Sequence, residues 1–153
     1  MLKHFCSLII LFFLALDTSS AEMPSTSPCL DGKMSALKQG GFSGPLLCDG
    51  KGVTFRFVGK LNADTTYLIY DYRYRFKPVD GMVYHGGQKL IVFDITGKYL
   101  GQYALTPPPN FELTVVGDQV KVRVKGVYKG AIEFIGGPAP NAHIDDEKIM
   151  FYK

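Results

Sequence analysis

Residues 67–76 read Tyr-Leu-Ile-Tyr-Asp-Tyr-Arg-Tyr-Arg-Phe. Leu68, Tyr70, Tyr72, Tyr74 and Phe76 occupy alternate positions, with Ile69, Asp71, Arg73 and Arg75 between them. A period of two marks a β-strand, whose successive side chains point to opposite faces; a helix needs apolar residues every third or fourth position. A strand of about 12 residues would be about 40 Å long at roughly 3.3 Å per residue, enough to bend or pass between sheets. Tyr70, Tyr72 and Tyr74 share one face with Leu68 and Phe76. That face reads as core with hydroxyls at a wet rim, and a ligand-lined barrel interior would use the same pattern.

The alternation continues on both sides of this stretch. Val53, Phe55 and Phe57 alternate with Thr54 and Arg56. Leu90–Phe93 and Tyr99–Leu105 flank a turn at Ile95-Thr-Gly-Lys98. Leu113–Val116 and Val120–Val124 flank Gly117-Asp118, which suits a tight hairpin with glycine first. Ala131–Ile135 and Lys148–Tyr152 complete the set. Strands at this spacing predict an all-β single domain, an antiparallel sandwich or partly open barrel of about eight or nine strands. One short N-terminal helix is expected over Lys33–Gln39, with Asp31 as its cap and Gly40-Gly41 ending it. Thr106-Pro-Pro-Pro-Asn110 reads as a rigid extended connector, and residues 136–143 as a longer irregular loop.

The N-terminus has a different character. Lys3 and His4 precede an uncharged run from Phe5 to Leu16, and small residues close the segment at Ser19-Ser20-Ala21. This is the layout of a secretory signal peptide, too short for the roughly 20 residues of a spanning helix. The expected organisation is a removed signal at 1–21, a lead-in with the short helix at 22–47, and the all-β domain at 48–153. The expected location is periplasmic or secreted, with no stable membrane anchor once the signal is gone. Cys6 leaves with the signal, so Cys29 and Cys48 are expected to form one disulfide, worth about 3 kcal/mol in the chain-entropy model. The signal also removes Lys3 and Asp17 together, and the net charge stays at +3. So small a charge does not predict nucleic-acid binding.

Catalytic signatures are sparse. Gly41-Phe-Ser-Gly44 lacks the spacing of a nucleophile elbow, Gly50-Lys-Gly52 is not followed by a helix, and no H-E-x-x-H or phosphate-binding loop is present. No cofactor and no metal are expected. After signal removal His85 and His143 are the histidines left. His85, between Tyr84 and Gly86-Gly87, is a candidate general base or a donor to a partner's carboxylate, and an ordinary turn histidine is the plainer reading. His143 with Asp145, Asp146 and Glu147 reads as a solvated acidic turn ahead of a metal site.

Cys48 to Phe93 also resembles, in part, the periplasmic C-type lysozyme inhibitors, small exported β-barrels that begin a strand after a cysteine and carry an S-G-x-x-Y loop. Here Cys48-Asp-Gly leads into Val53–Phe57, and Gly81-Met-Val-Tyr84 supplies the glycine and tyrosine. Asp80 stands where that family has serine, and its second, lysine-containing motif has no counterpart. The resemblance implies only that a protein-binding inhibitor belongs among the expected functions. Tyr84 and the adjacent His85 are counted among the binding candidates.

All four arginines, Arg56, Arg73, Arg75 and Arg123, lie on expected strands at the parity opposite their apolar neighbours. Each is therefore expected to point outward, with Lys121 and Lys125 extending a cationic binding face. The same pattern would arise on any solvated sheet face. The leading expectation is an exported, non-enzymatic binding protein, such as an inhibitor or protective factor, that meets an extracytoplasmic protein or an anionic ligand. The alternatives are a small-molecule or glycan binder with a tyrosine-lined cavity, and a small hydrolase using His85.

Overall fold

The structure, a computed structural model, describes residues 33–42, 44, 52–76, 85–105 and 110–153. The signal segment, Cys29, Cys48 and Tyr84 lie outside the described residues, and so do the expected leader cleavage and disulfide. Helix α1 spans Lys33–Gln39, as its sequence pattern requires. Nine strands follow: β1 Val53–Asn62, β2 Thr66–Phe76, β3 His85–Asp94, β4 Tyr99–Leu105, β5 Glu112–Val116, β6 Gln119–Val124, β7 Val127–Glu133, β8 Asn141–Ile144 and β9 Glu147–Tyr152. They form one sheet in the order β1-β2-β3-β4-β9-β8-β7-β6-β5, antiparallel throughout.

The sheet curls into a nearly closed barrel. An odd number of alternating strands leaves β1 and β5 running the same way where the ends meet, so the closing seam cannot continue the antiparallel ladder. The two edges still touch. A Cβ on Gly59 would lie 3.2 Å from Val115 Cγ2, so the missing side chain lets β5 approach β1. A register shift between Phe57 and Gly59 bends β1 at the same place.

Two apolar clusters divide the core. Inside the barrel, Leu61, Tyr67, Ile69, Leu90, Val92, Tyr103, Leu113, Val120, Val122, Ile132 and Phe134 pack together, all buried. Outside it, α1 lays Leu37 on β1–β4, where Phe42, Val53, Phe55, Tyr70, Tyr72, Ile91, Phe93 and Tyr99 form a second, aromatic-rich cluster. Phe55 stacks on Tyr70 with centroids 4.6 Å apart, and Phe42 meets Tyr72 edge-on at 5.0 Å. Both faces of β2 are therefore buried over most of its length. Tyr70 and Tyr72 belong to the outer cluster with Tyr74 packed against it, so these tyrosines do not line the barrel interior.

The structure pairs the expected strand at Lys148–Tyr152 with a further strand, β8, at the end of the segment whose sequence suggests an irregular loop. Asp145 and Asp146, with φ of 53° and 69°, make the two-residue turn that joins β8 to β9. Lys125 (φ 49°) and Gly126 (φ 78°) do the same between β6 and β7. Lys125 is thus a turn residue and not a continuation of the strand face. Gly117, φ 63°, opens the β5–β6 turn as its sequence suggests.

Candidate functional site

The arginines do not share an outward face. Opposite Arg56 in the register stands Asp71, a carboxylate only 2% exposed. Arg56 Nη2 donates to Asp71 Oδ2 at 3.2 Å, and Arg73 reaches the same oxygen with Nη2 at 2.9 Å and Nε at 3.1 Å. Gln88 Nε2 donates to Asp71 Oδ1 at 2.8 Å. Arg73 and Gln88 both also donate to the Phe111 carbonyl at 2.8 Å, and the Phe111 N–H donates back to Gln88 Oε1 at 2.8 Å. These groups close the barrel end where β2, β3 and the start of β5 meet. Leu105 and Phe111, on either side of the triple-proline connector, both belong to the interior cluster beside Gln88.

The expectation of outward arginines fails for a physical reason. It assumed one solvated face per strand, and β2 is covered on both. Positions 69, 71 and 73 point to the barrel side, so Asp71 is drawn into the interior and its arginines follow it. A buried carboxylate must be compensated by charge and hydrogen bonds, which Arg56, Arg73 and Gln88 supply. Arg75 is exposed near the end of β2, opposite Gly86. His85 is exposed at the first position of β3, opposite Phe76 in the register.

Arg123 has a different setting, on the outer wall of β6 between Glu112 and Tyr128. The outer face of β5–β9 lies away from the cluster that α1 covers. One row of directly opposed residues crosses it: Thr114, Lys121, Ala131, His143 and Lys148. From Lys121 to Lys148 this row spans three strand spacings, roughly 15 Å. Val120, Val122, Ile132, Ala142, Ile144 and Ile149 on the flanking positions point inward, which fixes the outward direction of the row. Ala131 keeps its centre low. Tyr128 and Met150, 57% and 62% exposed, border it, and Val116 is exposed at its margin. Glu112 and Glu133 are the acidic residues of the same face, and Glu112 Oε2 accepts from the Gly126 N–H at 3.3 Å.

The sequence pattern places Arg123 and Lys121 here, but not His143, expected in a turn, nor Lys148, which begins an expected strand without being assigned to this face. Both sit on a hairpin whose first strand, β8, is not expected from sequence. Its signal was present: Ala142 and Ile144, then Ile149 and Phe151, alternate on either side of Asp145-Asp146. Lys89 was also missed. It is 9% exposed on the helix-covered face, with Nζ 5.0 Å from the Phe42 ring centre and 5.8 Å from that of Tyr152. Burial pushes its pKa down. Among the described residues, no group of three or more His, Cys, Asp or Glu side chains could hold a metal ion.

Compared with known proteins, the chain matches no family model, no curated protein and no solved structure. The partial resemblance to lysozyme inhibitors is carried by its quoted residues alone, and its Gly81–Tyr84 element lies outside the described residues.

Proposed function

We propose that the protein is a non-enzymatic binding protein, exported to the periplasm or beyond, that presents the outer face of β5–β9 to the acidic surface of another protein. The observation that carries this reading is the Lys121–Ala131–His143–Lys148 row with Arg123, Tyr128 and Met150 around it. Arginine, tyrosine and methionine are enriched at protein interfaces, where aromatic anchors and forked guanidinium groups supply most of the binding energy. The lysines add charge that speeds encounter with an acidic partner and sets its orientation. The apolar packing inside the barrel supports the same reading over a carrier of small molecules, because Tyr70 and Tyr72 are spent on the seat of α1.

Capture from an extracytoplasmic extract tests the proposal. The unaltered chain should retain a protein that elevated salt releases, and the Lys121→Glu, Arg123→Glu, Lys148→Glu variant should not retain it. Equal retention by both chains contradicts the reading.

A further inference from the structure

A second site lies on the helix-covered half of the barrel, between the end of α1 and the β3–β4 turn. There a cleft of about 420 Å³ opens between Gln39 and Gly40 on one side and Thr96–Tyr99 on the other, with Lys153 at its edge. The volume falls within the roughly 300–1,000 Å³ typical of small-molecule sites.

Both walls are preformed. Asp94 Oδ1 accepts from the Thr96 N–H at 2.9 Å, the Thr96 hydroxyl at 2.6 Å and the Lys98 N–H at 2.9 Å, which holds the turn rigid. Partial burial opposes ionisation of Asp94, but those hydrogen bonds and the Lys98 charge outweigh it and hold the carboxyl below its ordinary pKa. On the other wall, a Cβ on Gly40 would lie 2.3 Å from Tyr99 Cδ1, so only glycine lets the helix end sit this close. The last helix carbonyls are already engaged. Ala36 accepts from the Gly40 N–H, Leu37 from the Phe42 N–H and Lys38 from the Gly41 N–H.

Beside the polar Gln39 and Thr96, the cleft is lined by basic and apolar groups. Lys98 and Lys153 line it with exposed side chains, and Lys33 Nζ lies 2.8 Å from where a Cβ on Gly97 would stand. Ala36 and the edge of Tyr99, itself only 2% exposed, supply a narrow apolar margin. Ammonium groups bind oxyanions through charge-assisted hydrogen bonds.

We propose that this cleft binds a small organic oxyanion, with Lys98 and Lys153 holding the anion between Gly40 and the Thr96–Lys98 turn. The site is independent of the β5–β9 face.

Phenyl phosphate is the probe, titrated into isotope-labelled chain and followed by two-dimensional NMR. Saturable shifts are expected at the amides of Gly40, Thr96, Gly97 and Lys98, and benzylamine, the same ring with a cation, should leave them in place. The Lys98→Gln, Lys153→Gln variant should fold normally, since both side chains are exposed, and should bind about tenfold more weakly or worse. Shifts that rise without saturating overturn the proposal. Undiminished affinity in the double variant does so too, as does benzylamine moving the same amides.

Discussion

Gln88 and Phe111 exchange two hydrogen bonds of 2.8 Å each, the side-chain amide of one pairing with the main-chain N–H and C=O of the other. The glutamine serves as a peptide group supplied by a side chain. It joins β3 to the start of β5, two elements that are not neighbours in the sheet order. A backbone N–H buried at the barrel end would otherwise lack a partner.

Gln88→Met tests this directly. The substitution keeps the length and removes both bonds together with the one to Asp71 Oδ1, so it should lower stability by about 2–3 kcal/mol, the cost of leaving buried polar groups unmet. A shifted denaturant midpoint with unchanged slope is the expected record. An unchanged midpoint would mean that the pairing contributes nothing.

The ion network around Asp71 should show a graded response. Asp71→Ala leaves two guanidinium groups facing a buried site and should cost about 2–4 kcal/mol. Arg73→Ala should cost less, because Gln88 still holds Asp71 and Phe111. Arg56→Ala should cost least, at most about 1 kcal/mol, since its side chain is 47% exposed. Urea unfolding of the three variants gives the order, and a reversed order contradicts this account of the barrel end.

At the end of α1, Gly40→Ala pushes a methyl group into the Tyr99 ring and should cost about 1–3 kcal/mol. Gly126→Ala meets open space and is disfavoured only by its φ of 78°, at about 1 kcal/mol. Thermal unfolding should rank Gly40→Ala as the more damaging change, and equal losses would refute the tight seat of the helix.

Burial raises the phenol pKa of Tyr72, Tyr99 and Tyr103 well above the ordinary value, with neighbouring Tyr74 and Tyr152 adding to the first two. The folded state then holds these protons more tightly than the unfolded chain. Their contribution to stability is complete below the unfolded pKa of about 10 and is lost as pH rises from there toward the folded values. Phenolate absorbance should rise in two steps, exposed tyrosines first and the buried set only with alkaline unfolding. A single step in the ordinary range would contradict the burial.

Much of this fold is legible in residues 67–76 and their flanks, because alternation survives wherever a strand has one apolar face. Helix α1 is equally plain, its stop being written in Gly40-Gly41. The sequence does not reveal that β2 is buried on both sides, since Asp71 and Arg73 look solvated until the partner strands are known. The proposed face was half legible. Lys121, Arg123 and Lys148 lie on strands whose alternation is plain, whereas His143 depends on β8, whose Asp-Asp turn lacks the usual glycine.

The central claim, that the outer face of β5–β9 meets an acidic partner, is tested most directly by lysine footprinting of the captured complex. An amine-reactive reagent should label Lys121, Lys148, Lys60 and Lys98 in the isolated chain. With the partner bound, Lys121 and Lys148 should be shielded while Lys60 and Lys98 keep their labelling. Unchanged labelling of Lys121 and Lys148 in the complex would contradict the account.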